Sequence, residues 1–143
     1  MKKLLLITLS AVLISFSVSG QKPAVLKVPA VVKASFAKQF PKATDVKWEK
    51  EDAVYEVTLK NNGQVMTVTL NNKGILTETE VGIKPSDLPA QILKYVREKF
   101  KGKTILSADK ITAGSKLTYE VNVQKGQALI FDPNGKLLEK AKD

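Results

Sequence analysis

The sequence predicts an α+β fold: a tandem repeat of α-β-β-β-β units, giving an antiparallel sheet with helices packed on one face. Three observations predict it. Two proline-led apolar phrases recur at a constant offset of 60 residues. A run of alternating strands follows each phrase, and the turn glycines of the two runs correspond.

The helices come first. "VPAVVKASFAKQF" covers residues 28–40 and "LPAQILKYVREKF" covers residues 88–100. Val32, Phe36 and Phe40 fall at i, i+4 and i+8, and Ile92, Val96 and Phe100 repeat that spacing. Each phrase therefore reads as a short amphipathic helix with one core stripe. Pro29 and Pro89 suit the first turn, where a missing N–H costs nothing. Ser86 and Asp87 offer the second helix a cap; the first has no equal candidate.

Behind each helix the period drops to two. "DVKWE" sets Val46 and Trp48 against Asp45, Lys47 and Glu49. "VYEVTLK" alternates Tyr55, Val57 and Leu59 with Glu56, Thr58 and Lys60, and "NNG" then signals a hairpin. "QVMTVTL" sets Met66, Val68 and Leu70 against Val65, Thr67 and Thr69, and "NNKG" turns into "ILTETE". In the second copy Tyr119, Val121 and Val123 answer Tyr55, Val57 and Leu59. Gly126 answers Gly63, and Gly135 answers Gly74. The copies match least well between "TDVKWEK" and "ILSADKI", where the Trp is lost. Repeat one spans about 28–80 and repeat two about 88–140, joined by "EVGIKPSDLP". A single unit hardly buries its own apolar face, so the two are expected to extend one sheet and share a core.

Residues 1–20 read as a signal peptide: "MKK", a run of about fifteen apolar residues, then "SVSG" before Gln21. The run is shorter than the roughly twenty residues a membrane span requires. Residues 21–143 then form a single pseudo-symmetric domain, periplasmic or secreted, with no stable membrane span. Losing Lys2 and Lys3 lowers the formal charge from +9 to +7. The remaining lysines are scattered and Arg97 is the only arginine, which argues against nucleic acid as a partner.

The chain has no Cys and no His, which removes disulfides, most nucleophile–base pairs and nearly all structural zinc sites. "DPNG" (132–135) lacks the further oxygen ligands of a calcium loop and reads as a turn. Glu56 and Glu120 occupy equivalent places and read as solvated carboxylates. A hydrolase built on them would need the pair within about 10 Å. No phosphate-cradling loop appears. The chain is expected not to be an enzyme and to have no catalytic, cofactor-binding or metal-binding residues. What remains is the sheet face opposite the helices. It would present Lys47, Glu49, Glu56, Thr58, Thr67, Thr69, Glu120, Asn122 and Ile130 as a candidate protein-binding face, with Val65 and Ala128 beside them.

The pattern "VPxxVxxxFxxxFPxAxxVxWE", "YEV", "NG" and "NxxGxLxExE" resembles the PepSY-like proteins related to beta-lactamase-inhibitor protein, which are short exported bacterial proteins. Val28, Pro29, Phe36, Phe40, Pro41, Ala43, Val46, Trp48, Glu49 and Tyr55 carry the likeness in the first copy, with Gly63 and Gly74. Leu88, Pro89, Tyr119, Gly126, Asp132 and Gly135 carry it in the second. The resemblance implies the tandem fold and covers the whole mature chain. The namesake engages its enzyme through the concave face of its sheet, an activity that does not transfer residue by residue to this chain. The namesake's disulfides have no counterpart here.

The expected function is a non-catalytic exported binding module, an inhibitor or regulator of an envelope or secreted enzyme, with an unidentified protein as partner. The alternative is a periplasmic carrier or sensor of a small anionic or lipidic ligand. That reading needs an apolar cavity, which a core tightly filled by Trp48, Phe36, Phe40, Val96 and Phe100 would close. Exposed first and last strands leave a monomer or a sheet-extended dimer open.

Overall fold

A computed structural model describes residues 26–124 and 127–141. The leader read at residues 1–20 and Gly126 lie outside them. The elements run α1 (Ala30–Gln39), β1 (Ala43–Glu51), β2 (Val54–Asn61), β3 (Gln64–Asn71) and β4 (Leu76–Ile83). A 3-10 turn (Pro85–Asp87) leads into α2 (Ala90–Lys99), β5 (Ile105–Ala113), β6 (Lys116–Val123), β7 (Gln127–Phe131) and β8 (Leu137–Ala141). The strands form one 8-stranded antiparallel meander in sequence order, so the second copy continues the sheet of the first.

Both helices start the same way. The carbonyl of Pro29 accepts from the amides of Val32 and Lys33, and that of Pro89 from Ile92 and Leu93. Neither helix has a side-chain cap. The cap expected from Ser86 or Asp87 is absent because those residues are taken up in the 3-10 turn. The connection between copies is also shorter than expected. Glu80 to Ile83 belong to β4, and Gly82 lies opposite Asp109 of β5.

The predicted stripes face the sheet. Val32 and Phe36 are buried from α1, and Ile92, Val96 and Phe100 from α2 and its end. They meet Val57, Leu59, Val68 and Leu70 in the first copy and Val121, Val123, Leu129 and Phe131 in the second. These are two clusters, one beneath each helix, rather than the single shared core expected. Each helix is ten residues long and covers chiefly its own four strands, with Ile83 of β4 also reaching the second cluster. Val46 also departs from expectation. A register shift between Thr44 and Lys47 turns it outward, to 37% exposure, and the same irregularity in β5 exposes Leu106.

The turn after β3 and the turn after β7 are copies in atomic detail. Asn71 Oδ1 accepts from the amides of Lys73 and Ile75, and Asp132 Oδ1 accepts from those of Asn134 and Lys136. The Asp132 carboxylate is thus spent on its own turn, as the sequence suggested. Each turn docks on a helix. Ser35 Oγ donates to the Gly74 carbonyl at 2.6 Å, and Gly135 lies against Gln91. Gly135 has φ +83°, and a Cβ there would come within 2.5 Å of Gln91 Cβ. Gly63 has a similar φ, +82°, but open space around it.

Gly63→Ala is therefore expected to cost about 1 kcal/mol and Gly135→Ala roughly 2–4 kcal/mol, as read by urea denaturation. Equal losses would show that the docked turn has room to move away from α2.

Candidate functional site

The strand register places every residue of the candidate face on the side away from the helices. One row across the sheet reads Glu49, Glu56, Thr69, Glu78 from β1 to β4. The next reads Lys47, Thr58, Thr67, Glu80, Ile111, Thr118 from β1 to β6. A third reads Gly82, Asp109, Glu120, Ile130, Glu139 from β4 to β8. Asn122 and Ala128 pair beyond Glu120 and Ile130, and Val65 stands opposite Lys60 at the other corner.

The middle of this face holds residues that the sequence reading missed: Glu78 and Glu80 from β4, and Asp109 and Ile111 from β5. With Glu56 and Glu120 they bring five carboxyls into one band. Strand pairing makes Asp109 the direct neighbour of Glu120 and the diagonal neighbour of Glu80. None of the five lies within ion-pair distance of a lysine or arginine among the described residues, whose ion pairs are Lys60–Asp45 and Lys94–Glu98. Among the described residues the polar relief comes from Asn122, whose Nδ2 donates to Glu120 Oε1 at 3.3 Å and to Ser107 Oγ at 3.0 Å.

Burial and like charge act together on these groups. Desolvation is the main cause that pushes the Glu80 carboxyl up to about 7, with Asp109, Glu120, Glu78 and Glu56 adding repulsion. Desolvation raises Glu78 and Asp109 as well. It also raises Glu56, aided by Glu51, Glu49 and Glu78. Glu120 is raised by burial, lowered by its bond to Asn122, and raised by Asp109 and Glu78. The solvated carboxylates expected at Glu56 and Glu120 are therefore half-buried ones. Nor do they form a pair. They lie on β2 and β6, four strands apart, which is about 19 Å at ~4.8 Å per strand. Thr69 and Thr118 are buried on this face, at 6% and 8% exposure.

A carboxyl near neutrality has the right pKa for proton transfer. Around Glu80 stand threonines and other carboxyls, Thr67 beside it and Asp109 on the diagonal, in a chain with no His or Cys. No group of three or more acidic residues among those described has the geometry to hold a metal ion. The band is a hydrogen-bond acceptor surface with negative charge held partly out of water.

The comparisons agree with this fold. The family described as "Putative beta-lactamase-inhibitor-like, PepSY-like" matches residues 23–78 and again residues 62–139. The chain belongs to that family. Among solved structures, the PepSY-like chain is similar to a BLIP-like protein from Bacteroides fragilis, at 20% identity and TM-score 0.67, covering 81% of this chain and 86% of that one. It is also similar to a protein from Bacteroides eggerthii described as periplasmic, at 16% identity and TM-score 0.75, covering 80% and 88%. The comparison with curated proteins returned no match. Among the described residues no helix is long and apolar enough to cross a membrane.

A signal for the missed residues was present in the PepSY-like sequence. In "TETE" (77–80) the glutamates alternate, and they share a face with Thr67 and Thr69 once β4 pairs with β3. Reading Glu80 as the start of a linker hid it.

The five raised carboxyls set a pH dependence of stability. Each binds its proton more tightly in the folded chain than in the unfolded one. The stability that Glu80 contributes is therefore full below about pH 4.5 and is lost as pH rises through about 7, and the other four act in the same direction. Glu80→Gln should flatten that decline and raise stability at pH 8 by about 1–2 kcal/mol, moderated by the water the carboxyl still contacts. Urea denaturation at pH 5 and pH 8 reads both effects, and an unchanged slope in the variant would place the burden on other groups.

Proposed function

We infer that this chain is a non-catalytic, exported binding module of the periplasm that engages a protein through the helix-free face of its sheet, as inhibitor or regulator of an envelope or secreted enzyme. The observation that carries this reading is the band of five partly desolvated carboxyls that have no cationic partner among the described residues. Groups held this way give up little further hydration when a partner covers them. They gain a charge-assisted hydrogen bond if that partner brings lysine or arginine. Family membership and the likeness to a BLIP-like protein support a sheet used for binding. The leader-like segment at residues 1–20 supports export.

The test is affinity capture from an envelope extract, with the protein compared against two charge-reversed forms. Glu78→Lys with Glu120→Lys alters the face, and Lys33→Glu with Lys94→Glu alters exposed helix positions. Thr69 is left alone because its burial would turn the experiment into a folding test. A partner retained by the native and helix-altered forms, and lost by the face-altered form, is the expected result. Retention by all three would move the interaction off this face. Binding should also strengthen above pH 7, where Glu80 is ionised, and weaken as salt rises.

A further inference from the structure

The two copies differ beneath their helices, and a groove opens beside α2. In the first copy Trp48 closes over Phe36 edge-to-face, with ring centroids 5.1 Å apart, and Phe40 stacks beside it at 5.4 Å. In the second copy Val96 stands where Phe36 stands, 60 residues on, and Ala108 takes the place of Trp48. The register supports the equivalence: Trp48 pairs with Val57, and Ala108 pairs with Val121. An open groove of about 370 Å³ lies between α2, the 3-10 turn and the start of β5, with the smaller Val96 in its wall. Pro85, Val96, Phe100 and Ile105 supply its apolar wall.

The rim of the groove is cationic. Arg97, the only arginine of the chain, and Lys103 line it, and no acidic residue does among those described. Arg97 is exposed and makes no ion pair among the described residues. Lys103 Nζ lies 5.5 Å from the centre of the Phe100 ring and Lys140 Nζ lies 5.8 Å from it, so positive charge collects over the aromatic wall. An occupant must therefore offer an apolar body to the wall and a negative head to the rim. A volume of this size suits a small molecule rather than a folded partner.

We propose that the groove beside α2 is a binding site for a free amphipathic carboxylate, its apolar tail against Val96, Phe100 and Ile105 and its head between Arg97 and Lys103. The site is independent of the acidic face, which lies on the other side of the sheet. In the first copy Phe36 stands at the position of Val96 and packs against Trp48 and Phe40.

The test is a titration of decanoate into the protein, followed by amide chemical shifts, with decanol and decyltrimethylammonium as neutral and cationic counterparts. Decanoate should shift amides of α2 and of residues 103–105, with decanol binding at least tenfold more weakly and decyltrimethylammonium not at all. Arg97→Gln, an exposed change, should weaken decanoate roughly five- to tenfold, the scale of one solvent-exposed hydrogen bond. Val96→Phe, which installs the side chain that the first copy already accommodates, should abolish binding. The proposal is overturned if decanol binds as well as decanoate, if both variants bind like the native protein, or if shifts appear only with vesicles of anionic lipid. The last outcome would mark a charged surface and not a groove.

Discussion

The pairing of β4 with β5 is the constraint on which the rest depends. Five residue pairs, from Thr79↔Thr112 to Ile83↔Ala108, join the last strand of one copy to the first strand of the next. Without that ladder each unit would have two open sheet edges and a small core under a ten-residue helix. With it, only β1 and β8 remain as edges, and the helix-free surface runs unbroken across 8 strands. Because neighbouring strands lie about 4.8 Å apart, the join also decides which charged residues meet. Glu80 and Asp109 are 29 positions apart in the chain and become diagonal neighbours only through this ladder.

The apolar clusters follow a different logic. They stay local, one per helix, and Ile83 of β4 is the β4 side chain that packs against the second cluster. The copies can therefore diverge in packing while the sheet stays continuous. Aromatic stacking fills the first copy, through Phe36, Phe40 and Trp48. The second relies on aliphatic residues and on Tyr95 set edge-to-face against Phe131 at 5.2 Å. A sheet held together by backbone hydrogen bonds tolerates such changes beneath it, because its register does not depend on any one side chain.

The acidic band works against stability at neutral pH, since like charges are held close in a partly desolvated setting. The fold accommodates this because the opposite face of β2, β5 and β6 is buried at Val57, Ala108 and Val121. The hydrophobic gain on one side leaves the other free to carry an unfavourable arrangement, as binding surfaces often do.

The sequence by itself determined the helices, the strands and the turns of each copy, because each of these is local. The i, i+4, i+8 stripes, the alternation of Tyr55, Val57 and Leu59, and the turn residues Asn71, Gly74, Asp132 and Gly135 all act within a few positions. The duplication made the whole plan legible twice. It also placed Lys47, Glu56, Thr67 and Glu120 on one face, since period two fixes the side of a strand once its core residues are known. Only the tertiary structure decided that Glu78, Glu80 and Asp109 complete that face, that their carboxyls are partly desolvated, and that the second copy holds an open groove. These are properties of the space between elements. Burial, charge proximity and voids arise from long-range pairing and from the volumes of facing side chains, and no spacing along the chain encodes them.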